Sequence, residues 1–410
     1  MESIFSYLVH LNAARVLFGA IAGSMSGIAL LLAFIIGRRW VRGRYFRRRD
    51  AIAAAIRRQW DFLVAGRIPV EHWTKDKLSR SVLESILLDR LEVADGDELR
   101  RLIDCLRRSG VLDERIAEAR FAPGWRRRAA LVALGRTRAP EALVALSEGL
   151  DSPDLETRIA SVRGLGKLAT AAAASQMLQR IEADTLDVPW NVVKNALLNC
   201  CASHPGVLIH HMYGAEEEGG KSRSERSSRI REMLARVLSE IADDASWNDL
   251  VLMAGDASAE VRASAARGLS RAAPEFALSP LAQLAGDREW FVRLRAVVAL
   301  GSFTDRGGMQ VLLRLLGDRN RLVRQRAAWA LIRSTQLVPR IISGTVRSGD
   351  DYALQALVSE LDRSGQYDAT LAKLEDGRHS ELIAALEAAR GRLTPGGAPQ
   401  EPAKREVGVA

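Results

Sequence analysis

One pattern returns along the chain at a fixed interval. DASAEVRASAARGLS begins at Asp256, DREWFVRLRAVVALG at Asp287 and DRNRLVRQRAAWALI at Asp318, spaced 31 residues apart, and an eroded copy starts 32 residues later at Asp350. DSPDLETRIASVRGLG from Asp151 and WRRRAALVALG from Trp125 carry it earlier; Arg127 and Arg158 are 31 apart, as are Arg262, Arg293 and Arg324. A period of this size signals stacked supersecondary units, each touching only its neighbours. Dividing 410 residues into globular domains by length therefore fails for this chain. Within a unit the apolar residues keep helical spacing: Val292, Ala296, Val297 and Leu300 form one stripe, Gly301 breaks it, and Val311, Leu312, Leu315 and Leu316 form a second. Each unit is a helix, a turn and a second helix, so the fold class is all-α.

The pattern of Asp, four residues, Val-Arg, two residues, Ala-Ala, one residue and Ala-Leu-Gly resembles the short bacterial HEAT repeat, the type also found in phycobilin lyases. It covers residues 123–213 and 229–390, with five good copies and two or three eroded ones. The resemblance implies an α-solenoid, one helix of each pair convex and the other lining a concave surface, and a role in binding other proteins. It does not carry phycobilin attachment, since nothing beyond the repeat type points to bilin chemistry.

Ahead of the repeats, Val16 to Gly37 is 22 residues without a charge. As a helix it spans roughly 33 Å, enough for a hydrocarbon core of about 30 Å. We expect a single transmembrane helix at 16–37. A cleavable signal would place its basic residues before a shorter apolar stretch, whereas here they follow a long one. Seven arginines (Arg38, Arg39, Arg42, Arg44, Arg47, Arg48 and Arg49) lie behind the stretch and only Arg15 in front. That asymmetry predicts residues 1–15 outside and the bulk of the chain in the cytoplasm, at a bacterial inner membrane. The bacterial assignment also rests on composition: 7 of the 59 basic residues are Lys, an Arg bias typical of a high-GC genome. Segment 38–49, with Trp40, Tyr45 and Phe46 interleaved, is expected to contact anionic headgroups. Gly19, Gly23 and Gly27 fall four apart, a small-residue face that suits close packing on another helix, either in a homodimer or against a membrane protein.

Removing segment 38–49 takes the net charge from +9 to +2, so the solenoid lacks the broad basic face that nucleic acid would need. Asp256, Asp287 and Asp318 precede first helices and are expected to cap them. Arg262, Arg293 and Arg324 follow six residues later and can bridge to the Asp of the same or the next repeat. The alternative is a partner-binding ridge of Arg262, Arg293, Arg295, Arg324 and Arg326, widened by Arg267. Trp125, Trp290 and Trp329 are expected to pack inside the repeats. Cys200, Cys201, His204, His210 and His211 cluster, but their spacing is not that of a zinc site, and the 3 Cys of the chain fit reduced thiols.

Residues 50–122 read as about three helices that cap the solenoid, 214–228 as a flexible loop, and 391–410, rich in Gly and Pro, as a disordered tail. No phosphate-cradling glycine loop, GxSxG or HExxH occurs. The expected function is non-catalytic and cofactor-free: a membrane-anchored scaffold binding a protein partner, such as a component of a transport or envelope-polymer synthesis machine. The alternative is a sensor binding a small anionic ligand or phosphorylated partner through the arginine rows.

Overall fold

The computed structural model describes residues 2–213, 221–303, 306–333, 338–376 and 379–392, with side chains from Ser24 onward except those of 221–227, Arg306 and Asp376. Among these residues there are 23 α-helices, one short 3-10 turn and no strand. The chain forms two compact units, 1–146 and 147–410.

The first unit opens with one uninterrupted helix, α1 (Glu2–Arg58). The apolar stretch, the arginine segment and the first predicted cap residues thus share one rod, about 85 Å long at 1.5 Å per residue. From Ser24 to Asp50 it is almost wholly exposed; Ile56 is its first fully buried residue, where the rod packs on α4. After α2 (Trp60–Val64) and α3 (Glu71–Thr74), the unit continues through α4 (Lys77–Leu91), α5 (Gly96–Arg108), α6 (Val111–Phe121) and α7 (Gly124–Thr137). Apolar residues at helical spacing supply its core: Leu63, Leu83, Leu87, Leu102 and Leu106 are fully buried. Each such leucine contributes on the order of 1.5–3 kcal/mol. The Asp76 side chain caps α4 by accepting from Ser79 N. Glu84, almost buried on α4, receives both Nε and Nη2 of Arg115 at 2.6 and 2.7 Å, tying α4 to α6.

Helix α8 (Ala142–Leu150) leads into the second unit. There the hairpins are α9 (Leu155–Leu168) with α10 (Ala171–Glu182), α11 (Trp190–Cys201) with α12 (Gly206–Tyr213), and α13 (Lys221–Ile241) with α14 (Trp247–Ala254). They continue as α15 (Ala259–Leu269) with α16 (Pro274–Leu284), and α17 (Trp290–Leu300) with α18 (Arg306–Leu315). The last are α19 (Arg321–Ile332) with α20 (Val338–Ser348) and α21 (Asp351–Arg363) with α22 (Tyr367–Asp376), followed by α23 (Ser380–Gly391). First helices stack on first helices from α9 to α23, forming one layer, and the second helices pack beneath them. The two predicted stripes meet between the layers: Val292, Ala296, Val297 and Leu300 are fully buried, and Val311, Leu312, Leu315 and Leu316 nearly so.

The glycine of the Ala-Leu-Gly end has a steric role. A Cβ on Gly166 of α9 would lie 2.8 Å from the Ala196 Cα of α11, so the two backbones approach as closely as they do only because position 166 has no side chain. The loop expected at 214–228 is corrected over its second half: 221–228 is helical and opens α13, while 214–220 lies outside the described residues. Of the tail expected at 391–410, residues 393–410 also lie outside them.

Candidate functional site

The repeated Asp and Arg form a buried ladder between neighbouring first helices. Asp287 and Asp318 each sit two residues before an N-cap, Glu289 and Asn320, and not at the cap itself as expected. There each carboxylate accepts from a backbone N–H two residues on, at 2.9 and 2.7 Å. Arg262 of α15 donates Nε and Nη2 to Asp287 at 2.6 and 2.9 Å, and Arg293 of α17 donates the same pair to Asp318 at 2.7 and 2.9 Å. The third guanidinium nitrogen of each turns back to its own repeat, Arg262 to the carbonyls of Asp256 and Ala257 and Arg293 to those of Asp287 and Arg288. One arginine therefore joins the turn of its own hairpin to the turn of the next. Arg158 does the same with Asp187, and Arg231 lies 3.6 Å from Asp256. The ladder stops where Val193 in α11 and Leu354 in α21 replace the arginine, four residues past the N-caps Pro189 and Asp350. Arg324 keeps the two carbonyl bonds to its own turn, but its guanidinium lies 5.2 Å from the Tyr352 ring centroid.

Burial raises the Asp287 and Asp318 carboxyls, but the arginines and the turn amides outweigh it, so both are held below the ordinary carboxylate value. Hydrogen bonding to these carboxylates in turn raises Arg262 and Arg293. Both pairs are charged at neutral pH, with every nitrogen of the guanidinium occupied.

The five arginines of the expected ridge consequently divide, and do not form one exposed row. Arg262 and Arg293 are buried in the ladder and Arg324 is half-buried, whereas Arg295 and Arg326 are exposed. The tryptophans also depart from expectation: Trp125 is 71% exposed and Trp290 42%. Trp329 lies between two guanidiniums, Arg326 at 5.6 Å and Arg333 at 4.9 Å from its ring centroid. Trp329 and Arg326, with α21 beside them, line a groove that sequence reasoning missed.

On α1 the seven predicted lipid-contact arginines are exposed. At about 100° per residue, Arg38, Arg39, Arg42, Arg44, Arg47, Arg48 and Arg49 distribute around the whole circumference of the rod, as a headgroup layer surrounding a helix would require. Arg44 lies over the Trp40 ring, 4.7 Å from its centroid, and Arg48 reaches Asp76 at 3.4 Å. The stretch from Ser24 is long and apolar enough to cross a membrane, and none of it is buried against the protein. Gly27 is open on all sides; Gly19 and Gly23 are helical, and their surroundings lie outside the described residues.

The Cys and His cluster does not converge. Cys200 and Cys201 point into the core, where burial pushes their thiols up to about 11 and about 12. His204 and His210 face solvent, and His211 Nδ1 is 2.6 Å from Glu182 Oε1.

The family described as HEAT repeats matches residues 113–197 and 248–332. No curated protein matches the sequence. Among solved structures, importin beta is 15% identical, with 70% of this chain and 46% of that chain covered and a TM-score of 0.33. The complex of CpcE and CpcF of phycocyanin lyase from Nostoc is 18% identical, over 56% of this chain and 92% of that chain, with a TM-score of 0.23. An engineered protein is 16% identical, over 79% and 98%, with a TM-score of 0.29. The repeat match and the two layers of stacked hairpins identify the fold as an α-solenoid of HEAT-like repeats.

Proposed function

We propose that this chain is a non-catalytic scaffold, anchored in the bacterial inner membrane by α1, whose HEAT-like solenoid binds a protein partner at the cytoplasmic face. The observation that carries the reading is α1 itself. Met25, Leu30, Phe34 and Ile36 are each at least 65% exposed, on a helix that is almost wholly exposed from Ser24 to Asp50. Exposed apolar surface on that scale needs a lipid or protein environment. The ring of arginines directly behind it suits the cytoplasmic headgroup layer. Solenoids with exposed faces on every repeat suit protein recognition, and a machine for transport or envelope-polymer synthesis is the class of partner that a membrane-proximal solenoid can reach. The face of Gly19, Gly23 and Gly27 would seat α1 against that partner or a second copy.

The test is affinity purification of the full chain from membranes in a mild detergent, with mass spectrometry, beside a Gly23→Ile variant. A membrane protein that copurifies with the native chain and is lost with the variant supports both the scaffold and its dock. Release of the chain from membranes by alkaline carbonate without detergent removes the anchor. Exposed Arg295 and Arg326 favour one second reading, a sensor of a small anionic ligand or phosphorylated partner; it predicts thermal stabilisation by an anion in a ligand screen.

A further inference from the structure

The repeats cease to be equivalent at α21, and a groove opens there. Counted from the N-caps Glu289, Asn320 and Asp350, the sixth residue is Arg295 in α17, Arg326 in α19 and Ala356 in α21. The ninth is Val298, Trp329 and Ser359. Helix α21 thus presents Ala and Ser where α19 presents Arg and Trp. The missing bulk leaves a groove of about 460 Å³ between α19 and α21, which Leu294 of α17 also lines. That volume lies within the range of ligand sites.

Its chemistry is two-sided. Leu294, Leu322 and Trp329 give an apolar wall, and Gln325 and Ser359 offer side-chain hydrogen bonds. Glu360 is the one carboxylate of the lining; it is almost buried and accepts from Arg363 Nε at 2.8 Å and from Arg363 Nη2, so its charge is cancelled on the spot. Arg326 is exposed at the lip, with Arg333 on the other guanidinium contact to Trp329. Neither has an ion-pair partner among the described residues, in contrast to the ladder arginines Arg262 and Arg293. A tryptophan flanked by two unneutralised guanidiniums attracts carboxylates while its edge accepts aliphatic carbon. Nucleic acid would need a longer basic row than these two cations provide.

We propose that this groove takes a short acidic segment of the partner protein, with an aliphatic side chain against Leu294, Leu322 and Trp329 and one or two carboxylates on Arg326 and Arg333. The proposal rests on the scaffold reading above and names the chemistry of what the scaffold holds.

The experiment titrates a fluorescein-labelled Asp-Glu-Leu-Leu-Glu-Asp peptide, and a counterpart with Lys at each acidic position, onto the full-length protein in detergent, read by anisotropy. The acidic peptide should bind and the lysine peptide should not. Arg326→Glu should weaken binding at least tenfold, Arg326→Gln less, and Ser359→Trp, which refills the groove with the side chain α19 carries, should also weaken it at least tenfold. Residues 326 and 359 reach the surface, so thermal unfolding of all three variants should match the native protein. No binding, equal binding of both peptides, binding indifferent to all three variants, or displacement by inorganic phosphate or a short oligonucleotide as readily as by unlabelled peptide would each overturn the proposal. A membrane partner that copurifies equally with native protein and with Arg326→Glu and Ser359→Trp overturns the groove and leaves the scaffold reading standing. Absence of any copurifying partner fails the scaffold reading, and specific peptide binding then supports the groove as a peptide site in its own right.

Discussion

Arg293→Met removes one rung of the ladder and replaces it with a side chain of similar length. The native guanidinium makes two bonds to Asp318 and two to the carbonyls of Asp287 and Arg288, with side-chain exposures of 9% for Arg293 and 7% for Asp318. The variant leaves a carboxylate that is nearly out of water with one hydrogen bond, from the Asn320 amide, and the more distant charge of Arg319. Breaking a buried pair from one side costs about 3–5 kcal/mol, and the retained amide bond places this case near the lower end, about 3 kcal/mol. For a domain of roughly 150–250 residues that corresponds to a fall in Tm of about 6–12 °C. Contacts in a solenoid run only between neighbours, so hydrogen exchange should speed up first in α17 and α19. The control is Arg293→Met combined with Asp318→Leu. With no orphaned charge it should recover at least half of the loss, since a buried pair contributes little beyond an apolar replacement. Thermal unfolding by circular dichroism and peptide-resolved hydrogen exchange measure both. A single variant within about 0.5 kcal/mol of the native protein, the range of ordinary surface changes, would refute the reasoning and return the arginines to a solvated row.

The same ladder sets an acid limit: Asp287 and Asp318 titrate below their unfolded value of about 3.9, so their contribution is complete above about pH 4 and is lost as pH falls through the lower folded values. A protein lacking both pairs should therefore show a shallower loss of stability between about pH 4 and pH 2 in an acid titration followed by circular dichroism. Gly166→Val should destabilise the α9 and α11 contact by about 1–3 kcal/mol, read as a lowered denaturation midpoint, because its side chain would begin 2.8 Å from the Ala196 backbone. Cys200 and Cys201, with thiols raised to about 11 and about 12, should resist maleimide at pH 8 in the folded protein and react once guanidinium unfolds it.

The all-α hairpins were legible because their signal is repeated and apolar. Val292, Ala296, Val297 and Leu300 can only be a stripe, and all four are buried. The ladder was half legible. The spacing left open whether each arginine serves its own repeat or the next, and in the structure one fork does both, a geometry that no sequence interval encodes. Composition misled at 221–228, where a helical segment carries no apolar period to announce it. Size misled at Trp125 and Trp290, since a large ring at the start of a helix can point outward at little cost. The groove was hidden by aligning the repeats on their aspartates. Asp350 is itself the N-cap of α21, whereas Asp287 and Asp318 stand two residues ahead of theirs, so the positions that open the groove line up only once the caps are known.

The unbroken course of α1 makes it a drive shaft. Between Gly37 and its anchorage around Ile56 there is no glycine hinge that ends the helix, no proline and no loop to absorb torsion. Over that distance the rod holds the first unit's α4 at a height of about 28 Å from the end of the apolar stretch, at one azimuth. Whatever fixes the orientation of the apolar stretch fixes the compass bearing of that unit as well. One residue added between Arg38 and Arg47 would swing it by about 100° and lift it about 1.5 Å, while seven would bring it almost back to its heading, about 10 Å higher.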